Sequence, residues 1–208
     1  MSELTNQITT QLQLHSQEAL IKNRAQGIWY TGADLLEDIA LCKASLQQQS
    51  VTAGQNMLIS VDNTAVLPVL LLASWQLGIN VTLIQPSTKL TPALAERYTA
   101  MVYATAPTQS LAAQLNPQEM SLLTLILNTA PNFAYFVHDL APSLTQTPEA
   151  NLQVTPTTAA CSQQELLDRA QQLTPPATIT NLYDLEHGIL PLLANLLDPT
   201  PFALAWAG

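Results

Sequence analysis

Short apolar runs at Met57 to Val61, Asn80 to Ile84, Met101 to Ala104 and Leu122 to Leu127 alternate with stretches of helical character. No other feature of the chain restricts its fold as much. Strands separated by helices at this spacing predict an α/β fold with a mainly parallel sheet covered by helices on both faces. Gly78 is placed to stop the helix that contains Leu70, Leu71 and Trp75. Thr91 with Pro92 opens the next, because proline in the first helical turn loses no hydrogen bond. The helix from Leu67 to Trp75 is apolar nearly all round, as expected for one sandwiched in a core.

The flanks follow other periods. Leu4, Ile8 and Leu12 repeat every four residues and predict an amphipathic helix. Ala19 to Ile21 and Ile28 to Tyr30 read as a small hairpin. Thr31 is placed to cap a helix with Leu35, Leu36, Ile39, Cys42 and Leu46 on one face. Beyond Asn128, Phe133 to Val137 and Asn151 to Thr155 read as strands and residues 141–150 as a turn-rich loop. Ser162 with Glu165 forms a capping box opening a helix through Leu173. Ile179 to Leu182, Ile189 to Leu197 and Phe202 to Trp206 complete a strand, helix, strand sequence. The 208 residues read as a single, partial domain, with Thr174 to Thr178 as a candidate hinge.

Composition excludes several classes of function. Hydrophobic residues make up 48% and charged ones only 10%, against a usual charged share of about 25%, which fits a packed chain and not a disordered one. Six Lys and Arg against fifteen Asp and Glu leave a net charge of −9, and only Arg169 is basic after Arg97. Nucleic acid and anionic membrane surfaces are excluded as partners, since both need clustered cations. The start, MSELTNQITTQ, lacks the basic and apolar parts of a secretory signal. The greasy stretch from Ala65 to Trp75 falls short of the roughly 20 residues that span a bilayer. Cys42 and Cys161 lack CxxC spacing, so neither a disulfide framework nor a metal site is expected. The expected setting is cytoplasmic.

Val51 to Pro86, VTAGQNMLISVDNTAVLPVLLLASWQLGINVTLIQP, is similar to a segment of the adenylate-forming superfamily, which includes acyl-CoA synthetases and amino-acid adenylation domains. The family pattern there is a V-x-x-G-D turn, an apolar strand ending near Asn, an apolar helix, K-x-G and a strand ending in Pro. Trp29 to Ile39, WYTGADLLEDI, resembles the family's TYAELLE segment, which follows the same hairpin. Tyr183 to Leu204 resembles the family's F-D-x-S segment with the helix and strand after it. Together these matches cover most of residues 18 to 206, and their order and spacing carry the resemblance.

The resemblance implies the N-terminal part of an enzyme that joins a carboxylate to AMP and passes the acyl group to a thiol, with ATP and magnesium as cofactors. Such chemistry rests on positioning and on charge stabilisation around the phosphates. The family's phosphate loop, S-G-T-T-G-x-P-K-G, corresponds here to Ser143 to Ala150, SLTQTPEA. Ser143, Thr145 and Pro148 stand as a degenerate remnant. The glycines are gone, none occurs between Gly78 and Gly188, and Glu149 stands at the lysine position. Side chains in place of glycines block the approach of backbone N–H groups, and a carboxylate repels a polyphosphate. No ATP or magnesium binding is expected. The family's adenine-binding segment, Y-G-x-T-E motif, ribose-binding Asp and lysine-bearing lid would all lie beyond Gly208.

The resemblance places Asp184 where amino-acid-activating members hold the substrate's ammonium group. His187, near the turn into a helix, is a second candidate substrate contact, with a solvent-facing or capping histidine as its alternative. A capping Asp ahead of EHGILPLL explains Asp184 as well, and Glu186 replaces the family's Ser. His138 with Asp139 reads as a polar pair at a loop end, and Cys161 as a small buried residue. Asp62, Asn63 and Thr64 read as helix caps at a strand end. No catalytic residue is assigned. These observations predict a truncated relative, inactive alone, that acts as a binding or interaction module. The alternative is a portion of a working AMP-forming ligase completed by another polypeptide, and a third reading is an unrelated α/β scaffold. Loss of the rest of such a domain would expose apolar surface, so self-association or a partner protein is expected.

Overall fold

The computed structural model describes residues 1–61, 64–86, 88, 91, 97–103, 120–138, 151–155 and 159–205. Ser2 caps α1 (Glu3–Leu14) by accepting from the Thr5 N–H, and the four-residue repeat buries Leu4, Ile8 and Leu12. β1 (Ala19–Asn23) and β2 (Ile28–Thr31) pair antiparallel around a turn in which Gly27 takes φ 72°. Thr31 then caps α2 (Gly32–Gln48) and Asp34 returns the bond to the Thr31 N–H, a reciprocal capping box. Gly32 is obligatory at this junction, since a Cβ there would lie 2.4 Å from the Leu12 carbonyl oxygen.

The predicted apolar runs form β3 (Asn56–Ser60), β4 (Asn80–Leu83), β5 (Ala100–Tyr103), β6 (Met120–Leu125) and β7 (Phe133–His138). With β8 (Asn151–Val154) and β9 (Cys161–Ser162) they make a seven-stranded sheet of order β6-β7-β5-β3-β4-β8-β9. The fold is α/β, as expected, but the sheets are mixed. β5, β3, β4 and β8 run parallel at the centre, whereas β7 is antiparallel to both β5 and β6, and β9 to β8. For the β6–β7 and β8–β9 pairs the reason is connection length. Residues 126–132 and 155–160 are too few for the crossover of a dozen or more residues that a parallel pair needs.

A second, four-stranded sheet of order β10-β11-β1-β2 joins the N-terminal hairpin to β10 (Thr178–Ile179) and β11 (Phe202–Leu204). β1 pairs parallel with β11, Ile21 against Phe202. β10 is shorter than the predicted Ile179 to Leu182, because Leu182 and Tyr183 turn into the next helical segment. The candidate hinge residues lead straight into β10, and the Pro176 carbonyl accepts from Asn195 Nδ2 at 3.0 Å.

α3 (Leu67–Gln76), entered through a 3-10 turn at Thr64–Val66, is buried from Leu67 to Trp75. It ends as predicted at Gly78, with φ 77°. Ser162 caps α4 (Gln163–Ala170) by accepting from the Glu165 N–H. This helix closes at Ala170, and residues 171–173 form a turn. A π-helical turn, Leu185–Ile189, runs into α5 (Leu190–Leu197). Among the described residues one apolar core unites both sheets with the five helices, and Leu58, Ile84, Met101, Met120 and Phe136 form a separate cluster. Alternate residues of β3 fall into the two clusters, so the central strands are buried on both faces, as a parallel sheet requires. The helix expected from Thr91 with Pro92 lies mainly outside the described residues.

Candidate functional site

Ligands of open α/β sheets bind outside the carboxyl ends of the strands. At that edge β3 runs out into Val61, and the phenol of Tyr183 grips its backbone, accepting from the Val61 N–H at 2.9 Å and donating to the Val61 carbonyl at 3.0 Å. Tyr183 is buried. Its ring thus ties the segment ahead of α5 to the end of β3. This residue was missed by sequence reasoning, although a buried tyrosine hydroxyl nearly always finds a partner.

Asp184 and His187 are brought together immediately beside this clamp. Asp184 caps the π-helical turn, its Oδ1 accepting from the His187 N–H at 2.8 Å and lying 3.1 Å from His187 Nδ1. The backbone N–H of His187, opposed by partial burial and aided by the imidazole, holds the Asp184 carboxyl below its ordinary range. The pair is at the surface, with the imidazole side chain 83% exposed. The capping alternative for Asp184 is therefore the geometry present. Gly188 lets the turn close against the preceding segment, since a Cβ there would lie 1.9 Å from the Asn181 carbonyl oxygen. Glu186 points the other way and pairs with Arg169, which also lies 3.4 Å from Glu165.

The other candidates are dispersed. Ser143, Thr145 and Pro148 lie outside the described residues, as do Asp62, Asn63 and Asp139. His138 ends β7 and is partly exposed. Cys161 is buried, and its thiol pKa is raised by burial first and by the Glu165 charge second. Among the described residues, no three His, Cys, Asp or Glu side chains are grouped to hold a metal ion. No helix among them is long and apolar enough to cross a membrane. A cleft of about 470 Å³ lined by Ser2, Glu3, Ala53, Trp75, Gly78 and Gln163 opens at the amino ends of β3 and β4, the edge opposite Tyr183.

Replacing Tyr183 with Phe removes both bonds to Val61 and leaves a buried N–H without this acceptor, a loss of about 1–3 kcal/mol. Urea unfolding of Tyr183→Phe should show it, and an unchanged midpoint would refute the clamp.

No protein-family model and no curated protein matches the sequence. Solved structures do. A benzoate CoA ligase from Burkholderia xenovorans superposes on 100% of this chain and 46% of its own at 15% identity and TM-score 0.65. The luciferase-like enzyme of the mealworm Zophobas morio matches 99% of this chain and 54% of its own, with 12% identity and TM-score 0.68. The N-terminal domain of FACL13 from Mycobacterium tuberculosis matches 99% and 57%, with 10% identity and TM-score 0.66. The chain thus spans about half the length of the solved structures it resembles. The chain therefore has the fold of the N-terminal part of adenylate-forming enzymes.

Proposed function

We propose that this chain is a relative of AMP-forming carboxylate ligases that does not itself activate a carboxylate and serves as a binding or interaction module. One observation carries the reading: the stretch that the sequence resemblance sets against the phosphate loop is SLTQTPEA, without glycine and with Glu149 in place of lysine. Backbone N–H groups cannot close on phosphate past side chains, and the local charge has the wrong sign. Asp184 and His187 are the residues through which a ligand with a cationic group would be met at the carboxyl edge. Two free, buried thiols, Cys42 and Cys161, are in keeping with a reducing, cytoplasmic setting.

The test is direct. Millimolar ATP with magnesium should leave the melting temperature unchanged, and carboxylate-dependent ATP–pyrophosphate exchange should be absent. Exchange above background by the chain alone would overturn the proposal. A second reading, a portion of a ligase completed by another polypeptide, is favoured by the half-length match to the solved enzymes. It requires exchange to appear when a chain carrying the remaining family motifs is added.

A further inference from the structure

Sheet edges are templates for pairing, and proteins blunt them with short strands, charges, prolines or covering segments. Three of the four edges here are short: β9 and β10 have two residues each and β2 four. β6 differs. It pairs with β7 over six residues, Met120 to Leu125, and from Met120 to His138 the sequence has no Asp, Glu, Lys or Arg. Met120 to Leu127, MSLLTLIL, contains neither proline nor glycine. Along it exposure alternates. Leu122, Thr124 and Ile126 face outward, with Leu122 52% and Ile126 83% exposed, while Leu123 and Leu125 pack against the main core.

We propose that β6 is a self-association edge, on which a second copy of this chain adds its own β6 antiparallel about a two-fold axis through Thr124. The pattern selects a second copy, because it is self-complementary, as an isologous contact demands. Each chain carries a net charge of −9, and this charge-free strip is where two copies meet with least repulsion. With Thr124 opposite its own counterpart, Leu122 lies across from the partner copy's residue 126 and shields it, and Leu123 lies across from residue 125. The register centred one residue earlier sets the exposed Ile126 against the partner copy's residue 120, a position already buried in each monomer. Pairing about Thr124 therefore covers both exposed apolar side chains with each other. A strand-edge contact of this length is small beside standard interfaces of about 1,600 Å², so the dimer is weak and forms with rising concentration.

Sedimentation of the full chain should show the mass climbing from 22.5 kDa towards twice that value as concentration rises. The double variant Leu122→Lys/Ile126→Lys changes two exposed side chains; it should stay monomeric at the same concentrations, with an unchanged unfolding midpoint. Register is read by disulfide mapping with oxidised glutathione. Thr124→Cys should cross-link to itself, Leu122→Cys alone should not, and an equal mixture of Leu122→Cys and Ile126→Cys should. A monomer at every attainable concentration, a dimer indifferent to the lysines, or equal self-cross-linking at 122 and 124 would each overturn the assignment.

Discussion

Replacing Asp38 with alanine is expected to remove on the order of 4 kcal/mol of stability, at about 1–3 kcal/mol for each buried donor that loses its acceptor. Asp38 is fully buried on α2. Its carboxylate accepts from the Asn128 N–H at 2.8 Å, the Thr129 N–H at 2.8 Å and the Thr129 hydroxyl at 2.7 Å, and Asn128 Nδ2 lies 3.2 Å away. One side chain thereby organises the turn between β6 and β7 from a helix far away in sequence. Domains of this size are stable by only about 5–15 kcal/mol, so the variant should unfold at much lower urea. A shift worth less than about 1 kcal/mol would show that the turn is held by something else. Asp38→Asn should fall between, because one oxygen still accepts while the amide N–H₂ group confronts other donors.

Gly188→Ala should be comparably damaging for a different reason. The added methyl would lie 1.9 Å from the Asn181 carbonyl oxygen and 2.8 Å from the Leu182 Cα. Both obstacles are backbone, so no rotamer change relieves them, and a cost of roughly 3 kcal/mol or more follows from overpacking. The clash sits where the π-helical turn docks, so Tyr183, Asp184 and His187 would be displaced together. Gly27→Ala is the matched control. Its φ is 72° but nothing lies within 4 Å of the added carbon, so only the left-handed backbone cost of about 1–2 kcal/mol remains. Equal losses at the two positions, read from urea unfolding, would refute the steric account.

The α/β class, the N-terminal hairpin, the caps at Thr31 and Ser162 and the stop at Gly78 were legible because each depends on residues near one another in sequence. The antiparallel flanks were legible in principle, since the gap between the runs ending at Leu127 and starting at Phe133 admits no crossover. The alternation of strands with helices elsewhere obscured it. Asp38 escaped notice because on α2 it reads as a solvated acid of an amphipathic helix, and its partners Asn128 and Thr129 are brought to it only by tertiary structure. Asp184 was found through resemblance, but its partner is its own turn; Tyr183 was passed over because nothing local marks Val61 as its partner.

The pairing of β1 with β11 has a consequence for biogenesis. The hairpin of β1 and β2 must wait for Phe202 to Leu204, translated long after it, before its sheet can close. Until then Leu20 and Ile21, buried in the finished protein, have no permanent cover. The nascent polypeptide therefore presents a greasy ribbon to chaperones until that distant segment emerges.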